Sequence, residues 1–234
     1  MNSQTPSSRR HFLKLGAAGA FGIAATAGDF LGRVDPAWAE AQPSLTPTDA
    51  LRRLMEGNQR FILQQPQHPD QSQKRLHEVA QSQHPFATIL SCADSRVPAE
   101  LVFDQGIGAL FDVRIAGNIA VPEALGSIEY AVALLGTPVL MVMGHERCGA
   151  VTAAVQNEVL PGDISTFVKA ILPAVDRVKG DPGDLVDNAV TANVKYQIEQ
   201  LMRSQILRER VQSGQLRVVG GRYDLDTGRV TLLT

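Results

Sequence analysis

The sequence contains two cysteines, Cys92 and Cys148, and a histidine, His145, lies three residues before the second of them. This spacing places an imidazole and a thiolate on one side of a single turn, where both can reach one metal ion. Two sulfurs and one nitrogen are ligands that suit zinc in a tetrahedral site. Because a set of two cysteines and one histidine leaves the fourth position to water, the pattern predicts one catalytic zinc ion per chain.

A second pair of residues that can do chemistry follows Cys92 directly. Asp94 and Arg96 are separated only by Ser95, so both side chains can point to the same side of an extended segment. An arginine guanidinium can hold a carboxylate through two parallel hydrogen bonds. We therefore expect Asp94 and Arg96 to form a pair beside the metal, with a simple surface ion pair as the alternative.

Two continuous apolar runs lead into these residues, Phe86–Leu90 before Cys92 and Val139–Met143 before His145. Runs without polar alternation are typical of parallel strands that are buried on both faces. Open α/β sheets bind their ligands at the carboxyl ends of such strands. We therefore expect two strands that end side by side and bring the metal ligands together.

The rest of the chain alternates between strand and helix patterns, which predicts an α/β domain with a central, mainly parallel β-sheet flanked by helices. An amphipathic helix capped by Thr46 or Thr48 is expected near the start of this domain. Further strands are predicted at 110–115 and 216–221, and a hairpin turn leads to a short edge strand at 230–233. The remaining helical patterns cover 71–83, 122–135, 150–159, 164–178 and 185–213.

The first 39 residues have the three parts of an export signal. Ser8–Lys14 contains a twin-arginine motif, an apolar stretch follows from Leu15 to about Ala27, and Ala37–Ala39 is typical of a cleavage site. We expect a signal peptide at 1–39, a linker at 40–50 and a folded domain at 51–234. A basic, disordered N-terminus is the alternative.

This signal predicts that the twin-arginine export machinery is a partner and that the mature protein is periplasmic. In a photosynthetic bacterium the thylakoid lumen is also possible. The chain has 234 residues, of which 44% are hydrophobic, so one domain with a sizeable core is expected. A net charge of -2 gives no reason to expect a nucleic-acid partner, and no stable membrane span is expected in the mature protein.

The Cys92-x-Asp94-x-Arg96 and His145-x-x-Cys148 motifs resemble those of the β-class carbonic anhydrases. The resemblance extends from about Leu51 to the C-terminus. Further blocks similar to the family follow in the expected order: Gly106–Phe111, Arg114–Asn118, Gly126–Ala131 and Tyr223–Gly228. The resemblance implies reversible hydration of CO2 to bicarbonate and a proton, by attack of a zinc-bound hydroxide, and an N-terminal helical arm that packs onto a second subunit.

The resemblance also implies roles for individual residues. Asp94, held by Arg96, would accept a hydrogen bond from the attacking group, and Asp94 would bind zinc itself only in a closed form of the site. Ile89 stands where the members that close carry a tryptophan, so we expect an open site near neutral pH. The substrate pocket would be built across the interface of a homodimer or a higher homo-oligomer. Its expected residues are Gln83, Phe111 and Tyr130, with Val97 and Gly149 at the mouth.

Several alternatives remain open from the sequence. A core position is the alternative for Phe111 and Tyr130, and also for His145. An amphipathic helix that packs on the core of its own chain is the alternative to the N-terminal arm. Cys92 and Cys148 could form a structural disulfide, since an exported protein with two cysteines invites one. The same scaffold could hydrolyse carbonyl sulfide or carbon disulfide. A protein without catalytic activity, which uses these residues as a zinc or thiol module, is the alternative from a different functional class.

Overall fold

The computed structural model describes residues 45–157 and 160–233. The predicted signal peptide at 1–39 and the first part of the predicted linker lie outside these residues, so both stay predictions. Within the described ranges, no helix combines the length and the apolar character that crossing a membrane requires.

The described residues form a five-stranded sheet with the strand order β2-β1-β3-β4-β5. The strands are β1 (Ala87–Ser91), β2 (Leu110–Arg114), β3 (Val139–His145), β4 (Arg217–Tyr223) and β5 (Val230–Leu233). The first four strands in this order pair in parallel, and β5 is antiparallel to β4. Every residue of β1 and β3 is buried, as the two apolar runs predict. The predicted α/β fold with a mainly parallel sheet is therefore confirmed.

Helices cover both faces of this sheet. They are α1 (Pro47–Ile62), α2 (Gln73–Val79), α3 (Ala99–Val102), α4 (Pro122–Ala133), α5 (Gly149–Gln156), α6 (Ile164–Asp176), α7 (Leu185–Leu201) and α8 (Gln205–Gln212). On one face, Leu54 of α1 and Phe103 after α3 share a core cluster with Ile89. On the other face, α4, α7 and α8 contribute to a cluster that contains Leu90 and Val142. Successive side chains along a strand point to opposite faces of the sheet, so each central strand contributes to a core on both faces.

The first helix begins earlier than the predicted domain boundary at Leu51. Thr46 is its N-cap, and the Thr46 hydroxyl accepts a hydrogen bond from the Asp49 N–H at 3.1 Å. This arrangement satisfies one of the free N–H groups at the helix start. The fold therefore includes residues that we assigned to the linker. Within one chain, Leu51 and Leu54 are buried in the same cluster as the sheet.

The predicted helix at 185–213 is wrong as a single element, because the structure divides it into α7 and α8. The break lies at Ser204, whose hydroxyl accepts a hydrogen bond from the Leu207 N–H at 3.3 Å and caps α8. The predicted helix at 150–159 also ends early. Its last helical residue is Gln156, and Asn157 follows in the left-handed region with a φ of 51°.

Candidate metal centre

Three potential ligands converge at the carboxyl edge of the sheet. Cys92 directly follows β1, His145 is the last residue of β3, and Cys148 precedes the first residue of α5. The sulfur atoms of the two cysteines and a ring nitrogen of His145 lie within 4.8 Å of one another. All three residues are buried. Because β1 and β3 are paired neighbours in parallel, the end of each strand places its ligand beside the other.

His145 is oriented as a metal ligand would be. Its Nδ1 lies 2.8 Å from the Glu146 carbonyl oxygen, to which it donates a hydrogen bond. The ring then carries its lone pair on Nε2, and this buried atom has no hydrogen-bond partner among the described residues. A backbone carbonyl that fixes the ring in this way is typical of histidines that bind metals. The donor set and the orphaned nitrogen therefore fit zinc.

The two cysteines interact strongly with each other. Hydrogen bonding from Cys148, with a smaller contribution from the Gly117 N–H, outweighs the opposing effect of burial and lowers the pKa of Cys92 to about 4. The neighbouring Cys92 thiolate and burial raise the pKa of Cys148 well above its usual range. Two adjacent thiols cannot both ionise easily unless a cation lies between them. Both cysteines are free, and their grouping with His145 favours a metal site over a disulfide.

Asp94 and Arg96 form the expected pair beside this cluster. Arg96 donates from Nε to Oδ1 of Asp94 at 2.9 Å and from Nη2 to Oδ2 at 2.7 Å. Its backbone N–H also donates to Oδ1, at 2.9 Å. These hydrogen bonds outweigh the opposing effect of burial and hold the pKa of Asp94 well below its usual range. Oδ2 of Asp94 lies 3.8 Å from Nε2 of His145, so an ionised carboxylate faces the metal site.

Arg114 fixes the loop that carries Cys92 and Asp94, a contact that we did not predict. Its Nε donates to the Cys92 carbonyl oxygen at 3.2 Å, and its Nη2 donates to the Asp94 carbonyl oxygen at 2.6 Å. Arg114 is the last residue of β2, in register with Ser91 of β1. Arg114 of the edge strand β2 therefore fixes the backbone at both Cys92 and Asp94.

Gly117 also contacts a ligand directly and was missed as a functional residue. Its N–H donates to Sγ of Cys92 at 3.3 Å. Its φ of +72° lies in the left-handed region, and a Cβ atom there would meet Cδ1 of Ile171 at 2.5 Å. The signal for this role was available in the sequence, because Gly117 lies within the Arg114–Asn118 block that resembles the family.

The structure does not bring the expected pocket residues to the ligands of the same chain. Gln83 is exposed in the loop before β1, whereas Cys92 follows the other end of that strand. Phe111 pairs with Thr88 early in β1, and its ring lies 6.2 Å from the ring of Tyr130. Tyr130 is 41% exposed, so the alternative that placed it in the core is wrong.

The two residues expected at the mouth differ from each other. Gly149 is exposed, and a Cβ atom on it would meet nothing within 4 Å. Val97 has no exposed surface and belongs to the core cluster beneath the loop, so the structure contradicts a position at the mouth. The reason is a turn in which the Val97 N–H donates to the Asp94 carbonyl oxygen at 3.1 Å and the chain re-enters the core.

Comparison with known proteins identifies this arrangement. A family model described as "Carbonic anhydrase" matches residues 87–230. Carbonic anhydrase 2 of Mycobacterium tuberculosis is 43% identical over 195 residues, which cover 81% of this chain and 94% of that protein. The chain belongs to the β-carbonic anhydrase family.

Solved structures of β-carbonic anhydrases share the fold. The β-carbonic anhydrase CcaA matches with a TM-score of 0.64 and 27% identity, and the match covers 79% of this chain and 95% of that one. One of two tetrameric β-carbonic anhydrases from Sordaria macrospora matches with a TM-score of 0.64 and 23% identity, over 79% of this chain and 97% of that one. At that identity the second match shows the fold alone.

Proposed function

We propose that this β-carbonic anhydrase is a zinc-dependent lyase that reversibly hydrates CO2 to bicarbonate and a proton. The observation that carries the proposal is the meeting of Cys92, His145 and Cys148 beside the Asp94–Arg96 pair at one edge of the sheet. Zinc bound there would lower the pKa of a water ligand to about 7 and so supply a nucleophile at neutral pH.

The protein's own residues divide the remaining work. Cys92, His145 and Cys148 would hold the metal, and three protein ligands leave one position free. Asp94 faces the site as a carboxylate, so its Oδ2 can only accept a hydrogen bond from the attacking water and thereby orients a lone pair towards carbon. Arg96 keeps that carboxylate ionised and aimed, because it donates to both of its oxygens.

The same pair determines whether the site is open. While Arg96 holds Asp94, the carboxylate is not available as a fourth ligand. Ile89 is fully buried and has no N–H in its side chain that could bind an anion. We therefore propose that the site stays open near neutral pH, with Arg96 holding Asp94.

A second copy of the chain is proposed to complete the substrate pocket. β2 is an edge strand, and Phe111 on it and Tyr130 beside it are both partly exposed. Gln83, in the loop before β1, is also exposed. These three residues would serve the metal centre of the partner subunit in a homodimer or a larger assembly. The tetrameric Sordaria macrospora proteins illustrate that this fold can assemble.

The other functional readings are less well supported. The relatives are carbonic anhydrases, which favours CO2 over carbonyl sulfide or carbon disulfide as the substrate. A non-catalytic zinc module would be expected to have a fourth protein ligand, and the cluster provides three. Export to the periplasm or to a thylakoid lumen through the twin-arginine machinery is proposed from the N-terminal sequence only.

Stopped-flow measurement of CO2 hydration by the zinc-loaded protein tests this function. We expect rapid hydration that disappears when zinc is removed, with little hydrolysis of carbon disulfide under the same conditions. Carbon disulfide hydrolysis without CO2 hydration would favour the alternative substrate. A zinc-loaded protein with neither activity would favour the non-catalytic module.

A further inference from the structure

Two buried amide side chains of α7 hold the short loop between β2 and α4. This loop contains a 3₁₀ turn at Ala116–Asn118 and therefore includes Gly117, whose N–H reaches the Cys92 sulfur. The two amides belong to Asn193 and Gln197, which are 1% and 2% exposed. They lie one turn apart on the face of α7 that packs inwards, and neither touches the metal ligands through a hydrogen bond of its own.

The hydrogen bonds run in a continuous chain from α7 to the ligand. Nδ2 of Asn193 donates to the Gly117 carbonyl oxygen at 2.9 Å. Nε2 of Gln197 donates to Oδ1 of Asn193 at 2.9 Å. Oε1 of Gln197 accepts from the Ala120 N–H at 2.9 Å, which ties down the far end of the loop.

Both amides are locked in one orientation. Gln197 uses its oxygen on Ala120 and its nitrogen on Asn193, with a longer contact of 3.3 Å to the Ala170 carbonyl oxygen. A flipped amide would place like groups against each other, and an unsatisfied buried amide costs free energy. A fully satisfied buried network of this kind makes its surroundings rigid.

This rigidity acts on Gly117. The residue has a left-handed φ of +72°, and its C=O points to Asn193 while its N–H points to Sγ of Cys92. A hydrogen bond to a metal-binding sulfur withdraws charge from it and orients it, as outer partners of metal ligands generally do. We propose that Asn193 and Gln197 are positioning residues that fix the N–H···S bond to Cys92 and so set how much charge this sulfur donates to the metal.

The experiment replaces Asn193 with leucine, which has a similar size but cannot donate. We expect the Gly117 carbonyl to lose its partner, the loop to relax and the bond to Cys92 to weaken. In the cobalt-substituted protein, the charge-transfer band from thiolate to cobalt should then move to longer wavelength, because a more electron-rich sulfur gives up an electron more readily. Metal affinity, measured by competition with a chromogenic chelator, should fall by about 10-fold or more, because the relaxed loop no longer holds Cys92 in position and this outweighs the gain in charge on its sulfur.

Asn58 provides a matched control. It is also 1% exposed, and its Nδ2 donates to the carbonyl oxygens of Val102 and Gly228 at 3.0 and 2.8 Å. Its Oδ1 accepts from the Val230 N–H at 2.9 Å, so Asn58→Leu removes a comparable buried network that makes no hydrogen bond to the ligands or to the loop around Gly117. This variant should unfold at a lower temperature, yet its cobalt spectrum should match that of the wild type.

Gln197→Met keeps the inference testable if Asn193→Leu does not fold. It removes the bonds to Asn193 and Ala120, so the band should shift in the same direction. An unchanged cobalt spectrum in whichever variant folds, or an equal shift in Asn58→Leu, would overturn the proposal. The inference rests on the metal centre of the proposed function, and a wild-type protein that binds neither zinc nor cobalt would contradict that function instead.

Discussion

Asp94→Asn is the substitution that most clearly separates a catalytic carboxylate from a structural one. Oδ1 of Asp94 accepts two hydrogen bonds from Arg96, whereas Oδ2 accepts one. An asparagine at this position keeps the larger number of bonds if its oxygen takes the place of Oδ1. The amide nitrogen then takes the place of Oδ2, 3.8 Å from Nε2 of His145, and presents an N–H where the wild type can only accept.

The magnitude follows from the loss of this acceptor. Loss of one preorganised hydrogen-bonding group at a reacting centre typically lowers a rate by about 10²- to 10³-fold, so we expect a loss of CO2 hydration in this range. Zinc binding should persist, because Asp94 is not one of the three clustered ligands. The assay is stopped-flow CO2 hydration, with the zinc content of each sample measured beside it.

Asp226→Asn is the matched control for this experiment. Arg147 donates to both oxygens of Asp226, at 2.8 and 2.9 Å, so this second pair has similar geometry. The pair is exposed, and its loss should leave hydration nearly unchanged. Near wild-type hydration in a zinc-replete Asp94→Asn protein would refute the catalytic role and leave Asp94 as an ion-pair partner only.

Three further predictions concern the metal, the pH dependence of activity and the pH dependence of stability. Cys148→Ala should lose zinc and much of the protein's stability, since zinc sites can supply about 10 kcal/mol of binding energy that is partly folding energy; full zinc occupancy by elemental analysis would contradict the ligand assignment. Hydration should fall smoothly as the pH is lowered, following about one proton, because the pKa of the water ligand lies near 7; a steep loss below about pH 8 that added bicarbonate deepens would instead indicate a closing site. Burial, with repulsion from Glu100, raises the pKa of Asp112 to about 7. Because the folded state holds the Asp112 proton more tightly than the unfolded state, the contribution of this group to the free energy of unfolding is fully present below pH 3.8. This contribution is lost as the pH rises towards 7. Asp112→Asn should therefore melt at a higher temperature than the wild type at pH 8, and a difference that stays equally large at pH 4 would contradict this reasoning.

The sheet and the positions of the ligands could be predicted because their signals are local. Each of the two central strands contains a continuous apolar run. Cys92 directly follows the first of these strands, and His145 is the last residue of the second. The parallel pairing of β1 with β3 then brings the residues together without any further information. Similarly, the separation of Asp94 from Arg96 by one residue is enough to predict their pairing.

The contacts around the ligands could not be predicted in the same way, since they join distant parts of the chain. Asn193 lies 76 residues from Gly117, and nothing in the local pattern of α7 distinguishes this buried amide from a solvated one. The division between α7 and α8 was missed because helix-forming residues flank Ser204 on both sides. Val97 was misplaced because its position depends on the turn after Asp94 and not on its distance from Cys92 along the chain.

Reconstitution of the metal-free protein with zinc tests the central claim most directly. Zinc is added in steps, and bound zinc and CO2 hydration are measured at each step in the wild type and in Cys148→Ala. We predict that wild-type hydration rises in proportion to bound zinc and stops rising at about one zinc ion per chain, while Cys148→Ala gains neither zinc nor activity. Full hydration by the zinc-free wild type, or activity restored equally in Cys148→Ala, would contradict a metal centre built from Cys92, His145 and Cys148.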